Sequence, residues 1–403
     1  MRLNSLLRSP WFILVIVLLT SVAAPLNQFK VPPILPLLME AFSQSAGRAG
    51  LLMSVFAITG LILAIPAGFI FQRLGYRTTG AIAILSIILG AALGAFSKDV
   101  GTLLASRFIE GAGMGFMTVL APAIIAMWFP TDQRGKAMGI WATWVPLGST
   151  VMFLLAPLLA GRWDWQAVWW FGCFYALFVG LLYYFFLPPP PGPLLNKATP
   201  APPRPLTGRE LRGVLRNRDL WLISILFGCF NYVFMAFITW APTFLHELRG
   251  ASLGKASLIV GLMAMLPLVS CPLAGWISDR VHSRKVICVL PMVLITLLWP
   301  LSFSVGAELF LALVMVLGFI AGFVPTGVLA AGVEAVGDER LGGMAMAVIQ
   351  VGQNSGMLLG PLVFGWMVES MGGWQIAFWS LTPVSAIGAI ASWMAKMKPG
   401  PPK

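Results

Sequence analysis

Apolar residues in this chain come in blocks of about twenty, the length that carries a helix across the hydrocarbon of a bilayer. Short polar intervals separate the blocks, and one interval, residues 188–218, is much longer than the rest. Pro188, Pro189, Pro190 and Pro191 open it and end any preceding helix. Lys197, Arg204, Arg209, Arg212, Arg216 and Arg218 follow, with Glu210 as its only acid. The pattern predicts six membrane spans before this strap, over 11–39, 48–71, 78–97, 101–128, 134–160 and 166–187. It predicts six more after it, over 219–244, 254–277, 285–305, 308–333, 341–368 and 373–395. The expected fold class is an all-α polytopic membrane protein with twelve transmembrane helices in two six-helix bundles. The expected domains are 1–187, the basic Pro-rich linker 188–218, and 219–403. Within the linker, Thr207-x-x-Glu210 reads as a capping box, and Arg209, Arg212 and Arg216 share one face of a short helix. Leu211, Val214 and Leu215 fall largely on another face, the pattern of a helix resting on anionic lipid.

The two halves repeat each other. Gly68-x3-Gln72-Arg73-x-Gly75-x-Arg77 returns as Gly275-x3-Asp279-Arg280-x-His282-x-Arg284, an offset of 207. Asp132-x-Arg134 returns as Asp338-x-Arg340, and Trp165-Gln166-x3-Trp170 as Trp374-Gln375-x3-Trp379, at offsets of 206 and 209. Pro157-x3-Gly161 returns as Pro361-x3-Gly365, at 204. Ordered matches at nearly constant offset indicate a duplicated six-helix unit. Six is even, so both copies enter the membrane from the same side.

Composition removes the soluble classes. The 403 residues are 59% hydrophobic and 10% charged, against about 25% charged in soluble domains. The net charge of +12 therefore speaks of topology rather than of nucleic acid. With the N-terminus placed in the cytoplasm, nineteen Lys and Arg lie inside and five outside: Arg48, Lys98, Arg162, Arg249 and Lys255. That split puts both termini and the strap on the cytoplasmic face of a plasma (inner) membrane. Arg2, Arg8 and the apolar run after Trp11 imitate a cleavable leader, but a first transmembrane helix is the better reading beside so apolar a chain. Cys173, Cys229, Cys271 and Cys288 lie in apolar stretches without metal-ligand spacing, so no metal and no cofactor is expected.

Twelve spans, the 6+6 repeat and the long central loop make the whole chain resemble the major facilitator superfamily. The loop carrying Gly68, Arg73, Gly75 and Arg77 resembles that family's signature, Gly-x3-Asp-Arg-x-Gly-Arg-Arg/Lys. The second copy, with Gly275, Asp279, Arg280 and Arg284, resembles it too. Arg107-x3-Gly111-x-Gly113 resembles the family's fourth-span motif. The resemblance implies secondary transport by alternating access, with the signature loops acting as cytoplasmic latches. Gln72 replaces the signature's Asp, which predicts a weaker first latch, and His282 replaces a Gly in the second. Gly139, Pro146 and Gly148 match the antiporter motif of the fifth span poorly, which argues against a drug:proton antiporter.

Charges inside a span are costly, and each is a functional candidate. Lys30 lies past mid-membrane in Asn27-Gln28-Phe29-Lys30-Val31-Pro32-Pro33, where prolines free backbone carbonyls. It is either a buried ammonium facing an anion or Glu110, or a lysine snorkelling to the headgroups. Its position resembles that of the first-span Arg in organic anion branches of the superfamily. Arg107 and Glu110 are three apart on one helix face near the bilayer centre. They form either a structural pair or a site in which burial and neighbouring cations compete over a proton. Asn231, Tyr232, Gln350, Gln353 and Asn354 complete the candidate substrate site, the alternative being helix-to-helix glue. No nucleotide or zinc-protease motif is present, so an enzyme is not expected. The sequence thus predicts a monomeric, proton-coupled transporter of a small carboxylate-like anion. Export of a lipophilic compound, or a non-transporting sensor or assembly protein, are the alternatives.

Overall fold

A computed structural model of the chain describes residues 9–63, 66–188, 208–337, 341–371 and 373–397. All regular structure there is helical. The first half runs α1 (Pro10–Gln28), a 3-10 turn (Pro32–Ile34), α2 (Leu35–Ala41), α3 (Ala46–Ala49), α4 (Leu51–Leu63), α5 (Pro66–Ala95), α6 (Val100–Trp128), α7 (Thr131–Trp141), α8 (Trp144–Arg162) and α9 (Trp165–Phe186). The short α10 (Gly208–Leu215) precedes α11 (Arg218–Glu247), α12 (Leu253–Met265), α13 (Pro267–Val281), α14 (Val286–Leu298), α15 (Leu301–Ser304), α16 (Ala307–Ala321), α17 (Phe323–Val336), α18 (Gly342–Ser370) and α19 (Trp374–Met394). Among the described residues ten stretches are long and apolar enough to span a membrane, from Pro10–Ala41 to Trp374–Met394. Ten of the twelve expected spans fall on them. The other two fall on α14 and α18, which are not among the ten.

The interruptions have chemical causes. The first expected span breaks after Gln28, because Pro32 and Pro33 have no N–H to continue the ladder. The span expected over 285–305 ends at Leu298 and resumes at Leu301, with Pro300 at the cap. The second and third expected spans meet in α5 at Gly75, whose φ of 73° only glycine enters freely. At the matching place in the repeat His282 has φ 53°, so the signature's glycine marks a left-handed residue in both copies.

The chain packs as two units, residues 1–30 with 58–205, and residues 31–57 with 206–403. In the first unit α5 and α6 meet along glycines. A Cβ on Gly90 would lie 2.8 Å from the Glu110 nitrogen. Where α5 bends and α9 ends, Arg77 donates to the Leu187 carbonyl (3.0 Å) and the Tyr183 hydroxyl to the Tyr76 carbonyl (2.7 Å). In the second unit Arg284 bonds Asp279 (2.7 Å), Glu334 (3.2 Å) and the Ser278 hydroxyl (2.7 Å). Asp279 of the second signature copy thus pairs with an arginine. Arg212 and Arg216 are exposed and Val214 is buried at α10. Thr207, Asp338 and Arg340 lie outside the described residues.

In the second unit α11 and α18 pack backbone against backbone. Cβ atoms on Gly352, Gly356 and Gly360 would overlap the carbonyl oxygens of Ser224, Gly228 and Tyr232 respectively. The spacing of four on both helices brings backbone onto backbone, the association that works in lipid, where apolar side chains gain little by meeting. Residues 46–50 pack on the same helix: Gly47 N donates to Glu369 (2.9 Å), and a Cβ on Gly50 would lie 2.5 Å from the Pro361 oxygen. Gly356→Ala is expected to destabilise the protein by about 1–3 kcal/mol through overpacking. Thermal unfolding in detergent should show a lower melting temperature. Gly343→Ala, with nothing within 4 Å of its added carbon, should melt like the parent.

Candidate functional site

The break that ends α1 places the site. Carbonyls near a helix C-terminus lack intrahelical donors, and Pro32 has none to offer Gln28. Arg107 on α6 takes that place: its Nη2 donates to the Gln28 carbonyl (2.9 Å) and its Nη1 to the Asn27 carbonyl (2.6 Å). The same Nη1 reaches Glu110 Oε2 at 2.5 Å. Lys30, in the non-helical turn after α1, puts its Nζ 2.5 Å from the other oxygen, Glu110 Oε1. A second bond from Nζ goes to Asn27 Oδ1 (2.9 Å). Lys30, Arg107 and Glu110 are each 0% exposed.

Two cations therefore share one carboxylate in a closed environment. With Glu110 ionised the cluster carries a formal charge of +1. An isolated buried charge is prohibitive, so the sharing is what allows all three to be there. Arg107 is the fixed partner, since two of its acceptors are backbone. Lys30 holds only side chains: a single carboxylate oxygen, an amide oxygen and the face of Trp169, 4.5 Å from the ring centroid. Of the readings left open for Lys30, snorkelling is not what the side chain does.

The surroundings are tight. Cβ atoms on Gly94 and Gly172 would overlap Trp169 and Asn27 Oδ1, and one on Gly90 would lie 2.6 Å from Glu110 Cγ. Gln28 is buried and its side-chain nitrogen has no partner among the described residues. Trp169, Gly90, Gly94 and Gly172 were not among the expected site residues. The spacing Gly90-x3-Gly94 was visible as a helix-contact signal, whereas a tryptophan in an apolar span reads first as packing.

The other candidates belong to the second unit or to the latch loops. Asn231 donates to the Phe227 carbonyl (2.8 Å) and Asn354 to the Gln350 carbonyl (2.9 Å), each four residues back on its own helix. Tyr232, Gln350 and Gln353 are half-buried. All five belong to the second unit. Of the first latch copy, Arg73 is exposed and Gly68 has nothing within 4 Å of an added carbon. In the second, Arg280 stacks on Trp276 at 4.6 Å. No His/Cys/Asp/Glu group that could hold a metal occurs among the described residues.

A sequence profile described as the Major Facilitator Superfamily matches residues 17–344. The "Probable sulfoacetate transporter SauU" of Cupriavidus necator is 24% identical over 388 residues, covering 89% of this chain and 87% of the relative. The "Hexuronate transporter" of Bacillus subtilis is 23% identical over 359 residues, covering 85% and 84%. Among solved structures, a bacterial homologue of the human lysosomal transporter Spinster, in an inward-facing and occupied conformation, superposes with a TM-score of 0.77. It is 16% identical, with 95% of this chain and 96% of that one covered. A D-xylose-proton symporter gives 0.72 at 19% identity, covering 95% and 97%.

The charge arithmetic gives a test of the cluster. Glu110→Gln leaves two buried cations without a carboxylate, a loss of about 3–5 kcal/mol. Adding Lys30→Met returns the formal charge to +1. The double variant should therefore melt above Glu110→Gln alone, although it carries one substitution more.

Proposed function

The chain belongs to the major facilitator superfamily, and on that footing we propose that it carries a small organic anion across the membrane together with a proton. It is a multi-pass membrane transporter, not an enzyme. The observation that supports the anion is the buried cluster, in which two cations meet one carboxylate. Relatives named for sulfoacetate and hexuronate point to the same substrate class, a small carboxylate or sulfonate.

The mechanism is an exchange. An anion competes with Glu110 for the Lys30 ammonium, while Arg107 stays on Glu110 and on the carbonyls of Asn27 and Gln28. A proton then takes the place on Glu110 that the ammonium leaves. The cluster starts at a formal +1 and, with one singly charged anion and one proton bound, is at +1 again. Gln28, whose side-chain nitrogen has no partner among the described residues, is a neutral donor for the anion, and Asn27 beside it orients Lys30. Asn231, Tyr232, Gln350, Gln353 and Asn354 supply the polar contacts of the second unit. Twelve spans in two groups of six work by alternating access, as a monomer in the inner membrane with both termini inside. Gly68, Arg73, Gly75, Arg77, Gly275, Asp279, Arg280 and Arg284 form the inner latches. The basic strap rests on anionic lipid.

Proteoliposomes loaded with a pH-sensitive dye test the coupling. A panel of small carboxylates and sulfonates should include one that drives proton entry. Lys30→Ala should abolish that entry by at least tenfold while the protein remains folded. No proton movement with any member, or a Lys30→Ala variant equal to the parent, would sink the reading. Sidedness is checked separately by labelling single cysteines in a background without the native four. A cysteine at position 98 should react with an impermeant maleimide in intact cells, and one at position 197 only after permeabilisation.

A further inference from the structure

Helix α9 holds Lys30 from one side, through two residues that the exchange above does not use. Trp169 and Gly172 are three apart and share a face of that helix. Lys30 Nζ lies 4.5 Å from the centroid of the Trp169 ring. Gly172 meets Asn27 instead, since a Cβ there would overlap Asn27 Oδ1. That oxygen is the one that accepts from Lys30 at 2.9 Å. The Asn27 amide nitrogen is anchored on the Ala23 carbonyl at 2.9 Å and reaches the Gly172 carbonyl at 3.5 Å. Asn27 thus has one orientation that fits, and in it the oxygen faces the ammonium.

Trp169 is itself immobilised. It is 0% exposed, Trp165 meets it edge-on at 5.3 Å, and Gly94 leaves no room for a side chain against its N–H edge. Its indole N–H has no acceptor among the described residues. The ring face, not the N–H, is therefore what this position gives to the site. A tryptophan face is the best aromatic partner for an ammonium, and the attraction is strongest where water is absent.

We propose that Trp169 and Gly172 form a socket that fixes the resting position of Lys30 on Glu110, and that they are positioning residues which set the affinity for the transported anion. The inference rests on the anion–proton exchange described above. In the anion-free protein the ammonium is held by Glu110, by Asn27 and by the ring. An anion must draw it away from that arrangement. Every contact that stabilises the resting position therefore opposes anion binding, and loosening the socket makes the anion bind more tightly. The sign is opposite to that of an ordinary binding-site lesion.

The test measures the half-saturation concentration for anion-driven proton entry in proteoliposomes, using the anion that works best with the parent. Trp169→Phe keeps a ring with a weaker face, and Trp169→Leu removes it. The half-saturation concentration should fall in that order, by roughly 3- to 30-fold for Trp169→Leu. Gly172→Ala should lower it too, by displacing the Asn27 oxygen while leaving the ring in place. A merely structural role predicts the reverse, with lower maximal rates and unchanged or higher half-saturation. That result in an active parent overturns the socket and leaves the exchange standing. A parent that moves no protons with any anion overturns the exchange, and the socket with it. Trp169→Phe is the variant least disturbing to packing, so a folding failure of Trp169→Leu does not remove the test.

Discussion

One carboxylate shared by two cations is the interaction on which the first unit depends. In bulk water three such charges would be worth little to one another. Inside a helical bundle the same geometry is far stronger and far less forgiving, because each ion has given up its hydration. Glu110 needs at least one of its cations, and each cation needs Glu110. The backbone break at the end of α1 is part of this arrangement. Pro32 withholds a donor from the Gln28 carbonyl, and the fork of Arg107 supplies it. A lysine at position 107 could not serve both carbonyls and the carboxylate with fixed geometry.

Glycine is the second constraint, and it acts in two ways. Around the charges, Gly90, Gly94 and Gly172 remove the carbons that would otherwise sit where Glu110, Trp169 and Asn27 are. The result is a close-packed wall that buries the ions, and burial strengthens the contacts between them. Between α11 and α18 the same residue type serves a neutral purpose. There, Gly228, Gly352, Gly356 and Gly360 let two backbones meet where side chains alone would gain little against lipid.

Much of this was legible in the sequence because the bilayer sets a length. Blocks of about twenty apolar residues mark ten stretches that are long and apolar enough to span a membrane among the described residues. Proline also foretold where the first of them breaks. Lys30, Arg107 and Glu110 stood out because charge in a span is expensive, and they do come together. The amides were harder to place. An asparagine in a helix finds its own carbonyl four residues back before any other partner, and Asn231 and Asn354 do so. Trp169 and Gly172 were out of reach for a different reason. Their meaning depends on Asn27 and Lys30, which lie more than a hundred residues away, and no local pattern carries that pairing. The left-handed residue shared by Gly75 and His282 was hidden as well, since His282 breaks the motif that would have announced it.

The formal charge of the cluster bears on what can power the carrier. A charge moved through the whole membrane field gains or loses about 2.3 kcal/mol per 100 mV. In the exchange proposed here the empty cluster and the cluster holding a singly charged anion and a proton both carry +1. Whatever work the membrane voltage does on the loaded form during reorientation, it undoes on the empty form as it returns. Such a carrier would be indifferent to voltage over a full cycle. It would run on the concentration gradients of the anion and the proton alone, and would keep working in a membrane whose electrical potential had collapsed while its pH difference remained.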